Sequence, residues 1–208
     1  MARAPAPTTA DDINRRRDQL FEALSTESDR SLILVAASFL DEALEALQRA
    51  RFCKKKRKGR PEIGPLFDMF GPLSSFSAKI RIAYALDLIE EWTYRDLEII
   101  RKLRNVVAHN IEDVRFDAQN ISQLTKRLEA ANIAVSYTKK PKKEANGLQK
   151  PGVATGSSQP DKGSMERTRF IMSVTFVGGL VYANTLLLKS NMDARALDRL
   201  AVVPHSSP

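Results

Sequence analysis

From Phe170 to Leu188 the chain runs for nineteen residues without a charge. Few structures can absorb such a segment: a helix of this length either reaches the lower bound for crossing a bilayer or lies in the middle of a soluble bundle. Phe170, Val174, Val177, Val181 and Leu188 fall on one helical stripe. Ser173, Thr175, Asn184, Thr185 and the Gly178-Gly179 pair count against lipid, where polar and poor helix-forming residues cost more than in a protein core. The segment from Met165 to Ser190 therefore reads as a final core helix and not a membrane span. Its two glycines suggest close approach of another helix, from the same chain or from a second one.

A central helix needs helices around it, and the rest of the chain supplies their patterns. Asp11 to Leu24 places Ile13, Leu20 and Leu24 inward, with its acidic residues at the N-terminal end that the helix dipole favours. Thr26 or Ser28 can cap a second helix whose face is Leu32, Ala36, Phe39, Ala43 and Leu47. Ser74 or Ser75 can cap a third, with Leu73, Phe76, Ile80, Ala83, Tyr84 and Leu88 on one side. Trp92 and Tyr94 then fall in a short connection before the stripe Leu97, Ile100, Leu103, Val107, which predicts an antiparallel helical hairpin. Ile63, Leu66, Phe67, Met69 and Phe70 are too apolar for a free loop and predict a short helical lid on the core. Asp117 can cap a further helix with Ile121, Leu124 and Leu128 inward. No strand pattern emerges. The expected fold is all-α, a single helical bundle of six or seven helices over residues 11–190. Tails cover 1–10 and 191–208, and a flexible basic linker of Lys, Pro, Gly, Ser and Gln covers 139–163.

With 43% apolar residues the chain can bury one core. Its net charge is +8, yet Arg51 to Arg60 alone holds +7 and Lys139 to Lys150 holds +4, which leaves the remainder at −3. Basicity thus belongs to two loops. Lys54, Lys55, Lys56, Arg57, Lys58 and Arg60 are candidate phosphate-binding residues, and without interleaved aromatics they suit weak, salt-sensitive contact with a nucleic-acid backbone, not base reading. Cys53 is the sole cysteine, so no intramolecular disulfide forms and a reducing, cytoplasmic setting is natural. The N-terminal residues have no apolar core region of the kind a secretory signal needs. With only His109 and His205, a histidine metal site is not expected, and no phosphate-cradling glycine loop, Ser-His-Asp arrangement or cofactor motif is present.

One group of polar residues asks for a reason. At roughly 100° per residue, Arg101, Asn105 and His109 align four apart beside the apolar stripe of their helix, with Arg104 at the edge. Asp29 and Arg30, at the start of the second helix, are candidate partners from another element. Three readings compete: a buried structural cluster of Asp29, Arg30, Arg101, Arg104, Asn105 and His109; a catalytic site in which His109 is general base or acid and Arg104 stabilises a phosphorane; and an anion site. The structural reading is preferred, because buried polar clusters more often hold a fold together than catalyse.

Several of these segments carry a resemblance. Glu27-Ser28-Asp29-Arg30, then Gly71-Pro72-Leu73-Ser74 with Phe76-Ser77-Ala78-Lys79-Ile80, then Tyr94-Arg95-Asp96-Leu97, and Arg101-Lys102-Leu103-Arg104-Asn105 closing on Ala108-His109, resemble the mannitol operon repressor (MtlR) family. The resemblance covers about residues 20–130 and implies an all-helical, non-enzymatic transcriptional regulator that acts through protein partners, expected as a homo-oligomer, preferably a dimer. The shorter run Arg104-Asn105-x-x-Ala108-His109 also resembles the Arg-x-x-x-x-His signature of HEPN ribonucleases, which implies a metal-independent ribonuclease with Arg104, Asn105 and His109 facing their copies across a dimer.

Overall fold

The computed structural model describes residues 9–52, 62–109, 114–139 and 162–190. The basic run from Lys54 to Arg60, Cys53, residues 1–8 of the first tail, the tail 191–208 and most of the 139–163 segment lie outside the described residues. Seven α-helices form among the described residues: α1 (Ala10–Thr26), α2 (Asp29–Phe52), α3 (Phe76–Ala85), α4 (Glu91–His109), α5 (Gln119–Lys126), α6 (Ala130–Lys139) and α7 (Lys162–Lys189), with one 3-10 turn at Gly64–Leu66. The protein is an all-α bundle.

α7 is its axis, packing against α1, α2, α5 and α6. Phe170, Val174, Val177, Val181 and Leu188 are all buried, and so are Ser173, Thr175, Asn184 and Thr185. Each large apolar side chain removed from water in this way contributes about 1.5–3 kcal/mol. Of the buried hydroxyls on α7, those of Thr175 and Thr185 donate to Ile171 O at 2.9 Å and Val181 O at 2.8 Å, one turn back, whereas that of Ser173 has no hydrogen-bond partner among the described residues. Among the described residues one helix, Gly163–Lys189, is long and apolar enough to cross a membrane, and 61% of its apolar window is buried inside the bundle. Gly178 provides the close approach, since a Cβ there would lie 2.4 Å from Phe39 Cε1 on α2. Gly179 has nothing within 4 Å of such an atom.

α2 buries two faces because it lies between α7 on one side and α3 and α4 on the other. Leu32, Ile33, Ala36, Ala37, Leu40, Ala43, Leu44 and Leu47 are consequently all inside. Two expected caps form, Ser28 accepting from Ser31 N at 3.2 Å and Ser75 from Ala78 N at 3.2 Å, and Thr9, for which the sequence reading named no role, caps α1 by accepting from Asp12 N at 3.1 Å.

Four local expectations are corrected. Trp92 and Tyr94 belong to the first turn of α4. The connection before them is a left-handed exit from α3 at Asp87, φ 58°, closed by Leu88 N–H donating to Ala83 O at 2.9 Å. This is the Schellman geometry with Asp where Gly is usual. Asp117 caps no helix; α5 starts after Ala118 without a side-chain cap, and Asp117 instead pairs with Arg115 at 3.1 Å. The segment after it is two helices, since α5 stops at Arg127 and α6 starts anew at Ala130. Of the lid residues, Phe67 is buried, whereas Met69 and Phe70 are 79% and 93% exposed.

Candidate functional site

The polar stripe of α4 does not fold inward. Arg104 and His109 are exposed, Asn105 is half-buried, and Arg101 is held on its own helix by Glu98 at 2.8 Å, three residues back. The preferred expectation of one buried cluster is therefore corrected for these residues. The reason lies at the end of the helix. Its Val107 carbonyl is taken by Arg30 of α2, which donates through Nη2 at 2.8 Å. With the last turn tied down from outside, the helix's own Arg104 and His109 are left to face solvent, and the Arg104 guanidinium stands at the negative end of the dipole where a cation is favoured.

Asp29 and Arg30 stand at a junction of four chain segments. Asp29 Oδ2 accepts from Phe116 N at 2.9 Å, and Oδ1 accepts from Arg167 Nη1 on α7. Arg167 also donates through Nη2 to Leu24 O at 3.1 Å, Ser25 O at 3.3 Å and Glu27 O, which caps the C-terminal end of α1. Beside this junction a polar cleft of about 300 Å³ is lined by Ser28, Asp29, Arg30, Val114 and Arg115. The Asp29 carboxylate lines it too, which opposes the anion that two arginines would otherwise invite.

Two further polar residues work inside the bundle. Asp96 on α4 is buried and accepts from Glu129 N at 2.9 Å and Ala130 N at 2.8 Å, so that it caps α6 from another helix. Burial raises its carboxyl from 3.8 to about 6, against the pull of those two amides. Lys79 on α3 is 3% exposed and reaches Asp41 at 2.8 Å and Glu45 at 3.0 Å on α2. Glu45 is shared with Arg49 at 2.8 Å, and Gln48 Nε2 donates to Lys79 O at 2.6 Å. No group of His, Cys, Asp and Glu among the described residues could hold a metal ion.

Sequence reasoning left Arg167, Asp96 and Lys79 without roles, although each carried a signal. Arg167 is a cation in the early turns of a helix, where the dipole disfavours it. Asp96 sits on the apolar side of α4, one turn before Ile100 and two before Leu103, where only a satisfied acid is tolerable. Lys79 likewise adjoins Ile80 on the inward face of α3.

Residues 16–177, from α1 to the middle of α7, match the Mannitol repressor family. The chain belongs to that family. Among curated relatives, the mannitol operon repressors of Escherichia coli K12 and of Escherichia coli O6:H1 are each 29% identical to it over 92 residues, 44% of this chain and 47% of the relative. The aligned part thus spans about half the length of those relatives. Two solved structures share the fold. A chain of the MtlR-HPr complex from Escherichia coli superposes with TM-score 0.51 at 21% identity, over 84% of this chain and 98% of its own length. A possible transcriptional regulator, YggD from Shigella flexneri 2a, gives 0.53 at 18% identity over the same shares.

Proposed function

We propose that the chain is a non-enzymatic transcriptional regulator of the mannitol-operon-repressor kind, cytoplasmic and homo-oligomeric, acting mainly by holding another protein. The family match across residues 16–177 carries this reading. The partner class follows from the neighbour solved as a complex with HPr. HPr, or a protein presenting the same surface, is the partner assigned here. Direct DNA contact would fall to the basic run Lys54–Arg60 and would weaken steeply with salt.

A second reading has one observation in its favour. Arg104 and His109 are exposed on one end of α4 and accessible to a large substrate, as a ribonuclease site would require. The two readings separate in one set of experiments on purified protein. Calorimetric titration with HPr should show saturable binding, and single-stranded RNA incubated alongside should stay intact. A flat titration, together with RNA cleavage that Arg104→Ala and His109→Ala each abolish, overturns the regulator in favour of the ribonuclease.

A further inference from the structure

Two apolar features sit at opposite ends of the bundle. The first is the turn that carries Met69 and Phe70 into solvent at 79% and 93% exposure. It is rigid. Phe67 N–H donates to Gly64 O at 2.9 Å, Gly71 N–H to Asp68 O at 2.8 Å and Leu73 N–H to Leu66 O at 2.8 Å. A Cβ on Gly71 would come within 2.3 Å of Pro65 O and 2.4 Å of Leu66 O, so the crossing needs glycine. Beneath it, Phe67 packs 6.3 Å from the Phe52 ring and under the Arg49 guanidinium at 4.4 Å. Two large apolar groups on a preformed turn have little ordering entropy left to lose on docking, which is the character of an interface anchor.

The second feature is a groove of about 280 Å³ between α6 and α7, its apolar wall made by Ala131, Val135, Met165 and Met172, its rim including Thr168 and Arg169. Met165 is 59% exposed at its mouth. Roughly 150 Å³ already admits a benzene-sized ring, so the groove has room for an aromatic side chain with a thioether beside it. The charges also match, for exposed Asp68 precedes Met69 and the one ionic group of the groove lining is Arg169.

One chain cannot seat its own turn. The groove lies where α7 begins, beside the Arg167–Asp29 pair at the start of α2, whereas the turn packs on Phe52 at the end of α2. α2 has 24 residues, about 36 Å at 1.5 Å per residue.

We propose that a second copy of this chain docks its Met69–Phe70 turn into the α6–α7 groove. This deepens the homo-oligomeric part of the proposed function, and it is read by mass alone, independently of HPr binding. Such a contact is heterologous, so that each copy offers one knob and one groove. The test uses sedimentation equilibrium from micromolar to submillimolar concentration on wild type, Phe70→Ser and Met165→Lys. Both substitutions fall on exposed side chains, and circular dichroism melts check that the fold is unchanged. The wild type should self-associate, and each variant alone should do so at least tenfold more weakly. An equimolar mixture should regain a heterodimer, because Met165→Lys keeps its knob and Phe70→Ser keeps its groove. A wild type that stays monomeric, a variant that associates as the wild type does, or a mixture that stays monomeric overturns the proposal.

Discussion

Replacing Arg167 with Met keeps the aliphatic stem and removes the guanidinium that joins α7 to α1 and α2. Two separate losses follow. One is the bond to Asp29, a pair whose side chains are only 22% and 24% exposed. The other is the cap on Leu24 O, Ser25 O and Glu27 O, which share a single Nη2 and so count as about one strong bond. Hydrogen bonds to a charged group net about 1.5–3 kcal/mol each, so two give about 3–6 kcal/mol. Water entering the partly open site recovers part of that, and we expect a loss of about 2–4 kcal/mol, or a melting temperature lower by about 5–15 °C. Urea unfolding followed by circular dichroism measures it. Arg15→Ala is the control: that arginine is 69% exposed in its pair with Asp12, and its loss should stay below about 0.5 kcal/mol. A cycle with Asp29→Asn should show coupling above about 1 kcal/mol. An Arg167→Met loss under about 1 kcal/mol, or an additive cycle, refutes the staple.

The two adjacent glycines of α7 should respond in opposite directions. Gly178→Ala must push aside the Phe39 ring, itself set edge-on to Tyr182 at 5.6 Å, and the overpacking of about 1–3 kcal/mol outweighs the helix-propensity gain. Gly179→Ala meets nothing and should gain up to about 1 kcal/mol; thermal melts in the reverse order would sink the packing argument. Asp96 has its folded-state carboxyl raised from 3.8 to about 6, so its contribution is fully present below the lower value and is lost as pH rises through the upper one. Chemical unfolding from pH 4 to 7 should show that decline in the wild type and not in Asp96→Asn; parallel curves would refute it. His109→Ala and Arg104→Ala, both on exposed side chains, should change stability by less than about 0.5 kcal/mol. Unfolding free energies from denaturant titration lowered by more than about 1 kcal/mol would mean these groups support the fold after all.

Much of the fold was legible because periodicity reports burial directly. The stripe of α7 read from sequence is buried at every position, and Ser75 caps α3 as its place before Phe76 requires. Legibility failed where tertiary geometry or a competing partner, near or remote in sequence, decided the outcome. Asp117 had the chemistry of a cap, but a neighbour two residues away, Arg115, took its carboxylate. Met69 and Phe70 had the chemistry of core residues, yet the turn closes below them at Phe67 and leaves them outside.

The same rule governs the polar stripe of α4. Periodicity places Arg101, Asn105 and His109 on one side of a helix but cannot say what stands opposite that side. Burial would have required acceptors from a neighbouring element, and the element that reaches the end of α4 brings a donor instead, the Arg30 guanidinium on Val107 O. Two guanidinium groups competing for one helix end would repel. Arg104 therefore turns to solvent because Arg30 already holds the carbonyl end, and His109 at the last position of α4 is exposed with it. What α4 presents at that end is accordingly an exposed Arg104 and His109, not an internal brace.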